Sequence, residues 1–151
     1  MRIAVGSDHR GVTLRQSVLE ILRSTPHEVL DLGTEDAVPV DYPDIAEDVA
    51  AMVSQGAVDR GVLICGTGIG MSIVANKFAG VRAAPVADEM LADISRRHND
   101  LNVLCLPADM MNNYTLERVL RTWLETAFEG GRHVRRLQKI EEIERRNGIR
   151  K

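Results

Sequence analysis

Val62-Leu63-Ile64-Cys65-Gly66-Thr67-Gly68-Ile69-Gly70-Met71 runs from four apolar residues through a turn with glycine at every second position. A segment of helical periodicity over 71–77 follows. An apolar run this short, closed by turn residues, reads as a strand buried on both faces, and the glycines read as its handover to a helix. The same unit recurs on both sides. Upstream, Ile3-Ala4-Val5 leads into a helix over 12–22, and Val29-Leu30 passes through Asp31-Leu32-Gly33 and a polar loop as far as Pro39 to a helix over 45–53. Downstream, Val81-Arg82-Ala83-Ala84 precedes a helix over 89–97, and Val103-Leu104-Cys105-Leu106 precedes one over 115–128.

Five strands alternating with helices imply parallel pairing through right-handed crossovers. The expected fold is therefore a three-layer α/β/α sandwich around a five-stranded parallel, Rossmann-like sheet. A sixth helix, about 132–147, carries Val134, Leu137, Ile140 and Ile143 on a narrow stripe. Five βα units already cover the sheet, so this helix is expected to pack on a second subunit, giving a homodimer. Residues 1–151 form one domain, with no internal repeat or linker.

Bulk properties remove several classes of function. The 151 residues are 44% hydrophobic and 27% charged, with a net charge of −3 and only 3% aromatic residues. Nucleic-acid binding is disfavoured, because it needs clustered cations or a stacking platform. No segment approaches the ~20 apolar residues that span a bilayer, so no membrane role is expected. Two cysteines that each end an apolar run do not make a secreted disulfide framework. A cytoplasmic protein is expected.

Ligands of open parallel sheets bind beyond the carboxyl ends of the strands. There Gly66, Gly68 and Gly70 permit a tight turn that aims bare N–H groups at an anion. Such a turn alone is an ordinary strand-to-helix device. It lacks the lysine of a phosphate-binding loop, and no acidic residue follows at dinucleotide-fold spacing, so no nucleotide cofactor is expected. Cys65 by itself reads as a small buried hydrophobe. Directly before a helix N-terminus, however, a thiolate is favoured. A base beside donors for an oxyanion is what proton abstraction next to a carbonyl requires. Cys105 has no such turn and reads as core.

The remaining candidates are plainer. Asp8 caps the first helix or touches a ligand; His9 stands at the same handover, facing ligand or solvent. His98 ends the fourth helix in Arg96-Arg97-His98-Asn99-Asp100. Arg132, His133, Arg135 and Arg136 put cations at a helix N-terminus, against the macrodipole, which suggests a nearby anion such as phosphate. Convergence of these strand and helix ends on one rim depends on the sheet order.

Several motifs taken together carry a resemblance: Gly6-Ser7-Asp8-His9-Arg10-Gly11, Asp41-Tyr42-Pro43, 65–72, Ala75-Asn76-Lys77, 96–100 and Glu129-Gly130-Gly131-Arg132-His133. In this order and spacing the chain resembles the type B ribose-5-phosphate isomerases and the related galactose-6-phosphate isomerase subunits. The resemblance implies interconversion of an aldose phosphate and its ketose through an enediolate, with neither metal nor other cofactor. By position, Cys65 would move the proton between carbons 2 and 1. Thr67 and the amides of Gly66, Gly68, Ile69 and Gly70 would hold the oxyanion, and His98 would open the sugar ring. Asp8, Tyr42 and Asn99 would hold hydroxyls; His9, Arg132 and Arg136 would grip the phosphate. The family is dimeric or tetrameric with active sites shared between subunits. Relatives with a glutamate base carry it where Met71 stands, so this chain is of the cysteine type.

One position departs from the pattern. The family usually has Gly-x-Arg after the fifth strand, and its arginine helps bind the ligand; here the sequence is Pro107-Ala108-Asp109. Either Asp109 points away, or Arg82 or Arg135 substitutes, or the preferred sugar differs. Ribose 5-phosphate is the leading expected substrate. Allose or galactose 6-phosphate and a tetrose 4-phosphate are alternatives, and a non-catalytic phosphosugar-binding module is the alternative of another class. A redox role is disfavoured because the two cysteines are not a Cys-x-x-Cys pair.

Overall fold

The computed structural model describes residues 1–34 and 38–149. The polar loop expected before Pro39 therefore lies partly outside the described residues. The elements are β1 (Arg2–Ser7), α1 (Val12–Arg23), β2 (Glu28–Asp31), α2 (Tyr42–Ser54), β3 (Arg60–Cys65) and α3 (Ile69–Ala75). They continue with β4 (Ala83–Pro85), α4 (Glu89–Asn99), β5 (Val103–Pro107), a 3-10 turn (Ala108–Met110), α5 (Asn113–Glu125) and α6 (Arg132–Arg146). The sheet is wholly parallel in the order β2-β1-β3-β5-β4.

Alternation along the strands builds two cores. Ile3, Val5, Val62, Ile64, Leu104 and Leu106 face one side, against Leu14, Val18 and Leu22 of α1, Ala92 of α4 and Leu116, Leu120 and Trp123 of α5. Ala4, Leu63, Cys65, Val103 and Cys105 face the other, against Ala46, Val49 and Ala50 of α2 and Met71 and Ala75 of α3. Helices cover both faces, as near-continuous apolar strands require. No helix among the described residues is long and apolar enough to cross a membrane.

Boundaries differ from the sequence reading for local reasons. α2 starts at Tyr42 rather than Ile45, because Asp41 stands at the N-cap position with Pro43 in the first turn, where its missing N–H costs nothing. β4 is shorter and later than expected. The Arg82 N–H donates to Asn102 Oδ1 (2.8 Å) and the Ala83 N–H to Asn76 Oδ1 (2.9 Å), so side chains take donors that a longer strand would use. α5 stops at Glu125, where Thr126 turns extended.

Candidate active site

The order β2-β1-β3-β5-β4 reverses direction at the β1/β3 pair, and the crevice beyond the carboxyl ends of such strands is where ligands bind. Ser7 of β1 pairs in register with Ile64 of β3, so Asp8 and Cys65 emerge as neighbours. A cavity of about 370 Å³ opens there, lined by Asp8, Arg10, Tyr42, Cys65, Gly66, Thr67, Gly70 and Asp109.

Each part of the cavity has a local cause. The Gly68 N–H donates to Cys65 Sγ at 3.2 Å, a contact that a sulfur anion accepts more strongly than a neutral thiol. This geometry needs glycine at position 68: its φ is +74°, and a Cβ there would sit 3.1 Å from the Cys105 carbonyl oxygen. Gly70 lets the Tyr42 phenol approach the backbone closely, since a Cβ would come within 2.6 Å of Cζ. Thr67 is exposed at the lip, and its Oγ1 accepts from the Ile69 N–H (3.3 Å). Asp8 is buried and uses Oδ1 to accept from the N–H groups of Arg10 (2.9 Å) and Gly11 (3.2 Å). Among the described residues its second oxygen has no hydrogen-bond partner, and Asp8 lines the cavity. His9 stands just outside, with Nδ1 accepting from the Val40 N–H (3.3 Å).

The other candidates gather elsewhere. In a parallel βα unit the helix returns to the amino end of the sheet, so α4 delivers His98 and Asn99 to the rim opposite Cys65. The contact of Gly61 N–H, near the start of β3, with the Asn102 carbonyl (2.9 Å) marks that rim. There the His98 and His133 rings stack, 4.3 Å between centroids and 8° between planes. Arg132 stands beside them, its Nε 3.4 Å from His133 Nε2, with Arg136 exposed one turn further along α6. Burial pushes the His133 imidazole below its usual range, and the His98 charge adds to this. Glu129 lies 4.0 Å from His98 Nε2 and is held by Arg97 at 2.9 Å, whose guanidinium keeps the carboxyl below its usual value. Donor atoms of His98, Glu129 and His133 come within 4.8 Å of one another. Arg97 engages Oε2 of this carboxylate, and the two imidazoles are stacked face to face. Within one chain, then, Cys65 joins Asp8, Tyr42, Thr67 and the turn amides, while His98, Asn99, Arg132 and Arg136 form a separate group about a strand's length away, roughly 15 Å.

Asp109 does not point away. It lines the cavity and pairs with Arg10, Nη2 to Oδ2 at 2.5 Å. Arg82 does not substitute, since it is bound to Asp100 at 2.8 Å on the far rim. The cation of this cleft is Arg10, which spacing could not reveal: 99 residues separate it from Asp109. The available signal was two opposite charges on the loops after β1 and β5, flanking a glycine after β3.

A doubly wound α/β protein with a cysteine at its ligand crevice is the class that this fold and cleft define. The family described as ribose/galactose isomerase matches residues 3–140. Ribose-5-phosphate isomerase B of Escherichia coli (strain K12) is 43% identical over 145 residues, 96% of this chain and 97% of that protein. The solved ribose-5-phosphate isomerase B of Clostridium thermocellum aligns with a TM-score of 0.95 at 44% identity, over 97% of this chain and 99% of that one. That of Mycoplasma genitalium, with ribulose-5-phosphate bound, aligns with a TM-score of 0.92 at 40% identity, over 95% and 96%. The chain belongs to the ribose/galactose isomerase family.

The two thiols should differ sharply in reactivity. Cys105 is fully buried, and burial pushes its thiol far above the usual range, whereas Cys65 lines the cavity. Iodoacetamide is expected to modify Cys65 at least about tenfold faster than Cys105, and ribose 5-phosphate to slow that reaction. Peptide mass spectrometry reads both rates; equal, ligand-insensitive labelling contradicts this placement.

Proposed function

We propose that this chain interconverts ribose 5-phosphate and ribulose 5-phosphate through an enediolate, with Cys65 as the base. The observation that carries the reading is Sγ at the floor of the switch-point cavity, with an amide N–H donating to it. The thiolate takes the proton from C2 of the open-chain aldose, and the carbonyl oxygen gains the negative charge. N–H groups of the 66–70 turn and the Thr67 hydroxyl stabilise that oxygen where the charge develops. The hydroxyl proton passes from O2 to the charged O1, and the sulfur returns its proton to C1 as the C2 carbonyl forms, giving the ketose. Asp8 and Tyr42 hold hydroxyls of the chain.

Ring opening by His98, the hydroxyl contact of Asn99 and the phosphate grip of Arg132 and Arg136 come, in this proposal, from a second copy of the chain. Two observations support that. The group lies on the opposite rim from Cys65, and α6 leaves Val134, Ile140 and Ile143 exposed on one stripe. His9 adds to the phosphate site from the Cys65 side. Two free cysteines suit a reducing cytoplasm.

Turnover tests this reading directly. Incubation with ribose 5-phosphate is expected to yield ribulose 5-phosphate, with some solvent deuterium appearing at carbon 1 of the ketose in D₂O. Sugar phosphates of four to six carbons form the comparison panel. Activity confined to a hexose or tetrose phosphate refutes the pentose assignment, and binding without turnover of any of them refutes the isomerase.

A further inference from the structure

Arg10 follows β1 and Asp109 follows β5, so β3 runs between their strands and the two side chains must meet across it. Residue 66 allows this by being glycine. A Cβ there would lie 2.8 Å from Asp109 Oδ2 and 2.9 Å from Arg10 Nε. The Asp109 N–H also donates to the Gly66 carbonyl at 3.1 Å. The pair is thus laid over the residue next to Cys65, inside the cavity.

Its exposure says what it is not. The side chains are 57% and 39% exposed, and an ion pair in that setting contributes little to stability. Its bonding leaves polar atoms for a ligand. Among the described contacts only Nη2 of Arg10 and Oδ2 of Asp109 are engaged side chain to side chain. Nε and Nη1 remain as donors beside Oδ1 as an acceptor. Charge then selects the chemistry. Among the described residues Arg10 is the one cation lining the cavity, against the two carboxylates of Asp8 and Asp109. A phosphate dianion would meet a wall that is negative on balance, with the only guanidinium already neutralised. A sugar hydroxyl is uncharged, both donates and accepts, and matches a wall that does the same.

We propose that the Arg10–Asp109 pair is a hydroxyl-reading subsite that recognises the polyol chain of the substrate, and hence its length and stereochemistry, while the phosphate is held elsewhere. This rests on the sugar-phosphate reading above. Both residues are specificity determinants, and neither moves a proton.

The test uses Arg10→Met, which keeps the aliphatic stem, and Asp109→Asn, which keeps the shape. For each, KM and kcat for ribose 5-phosphate are measured beside the competitive inhibition constant of inorganic phosphate. Calorimetric binding of both compounds is measured on the same preparations. KM and the dissociation constant of ribose 5-phosphate should rise at least about tenfold in each variant, the scale of a lost hydrogen bond to a charged group, with kcat changing less. The constants for inorganic phosphate should stay within about twofold, since no phosphate contact is removed. A parallel loss of phosphate binding makes Arg10 a phosphate ligand and overturns the proposal. So does unchanged ribose 5-phosphate binding in both variants. A wild-type chain that binds ribose 5-phosphate without isomerising it refutes the proposed activity instead, and the binding ratios alone then decide the subsite.

Discussion

Cys65→Ala is expected to lower kcat for ribose 5-phosphate by at least about a thousandfold, within the range that a positioned base contributes, while leaving ligand binding nearly intact. The two readouts separate because the sulfur is used for proton transfer, whereas the sugar is proposed to be held by other groups, Asp8, Tyr42 and the Arg10–Asp109 pair among them. The fold should survive: the substitution removes one atom at the edge of the α2/α3-side core, where Cys65 is 6% exposed. Gly68 keeps its turn through backbone bonding, since its carbonyl accepts from the Ser72 N–H at 3.1 Å. Initial rates and calorimetry on one preparation check the pair of outcomes. Substantial residual turnover with unchanged binding removes Cys65 as the base. Loss of binding as well assigns it to ligand recognition instead. Cys65→Ser extends the comparison: a hydroxyl in the same place is far less acidic than a thiol and should recover little of the lost rate.

The architecture was legible because its signal is redundant. Each strand such as Val62–Cys65 is apolar throughout, each handover carries glycine or a polar cap, and parallel pairing leaves few ways to connect them. Tyr42 as the start of α2 was legible too, from Asp41 at the cap position and Pro43 behind it, although apolar periodicity alone put the start at Ile45. β4 was misplaced because two side chains outside the apolar run, Asn76 and Asn102, capture the backbone donors of Ala83 and Arg82. The site divides in the same way. Cys65 and its turn are one contiguous motif and could be read directly. The pairing of Arg10 with Asp109 depends on two strands meeting on either side of a third. The position of His98 follows from topology: a helix leaving a parallel strand at its carboxyl end returns to the amino end. Once the sheet is parallel, a residue ending α4 cannot share a rim with Cys65 of its own chain.

That geometry leads to an outcome with no small-effect version. Cys65→Ala and His98→Ala chains should each be nearly inactive alone, yet mixing them one to one, with exchange of subunits by refolding or co-expression, should restore activity. If each site takes Cys65 from one copy and His98 from another, half the sites receive an intact Cys65 and half of those an intact His98. About a quarter of wild-type activity is then expected at equal total protein, for any symmetric assembly with pairwise shared sites. The control is a mixture of Cys65→Ala with Thr67→Val. Both residues line the same cavity of one chain, so no mixed assembly can reunite an intact pair, and activity should stay at the level of the two variants alone. Recovery in the control would mean that the cavity is not the unit of catalysis. Failure to recover in the first mixture, with mixed assemblies present by native mass spectrometry, would mean that His98 is not supplied across the interface. Ring opening would then have to be carried out by groups on the Cys65 rim, where Asp8, Tyr42 and Thr67 line the cavity and His9 stands just outside it.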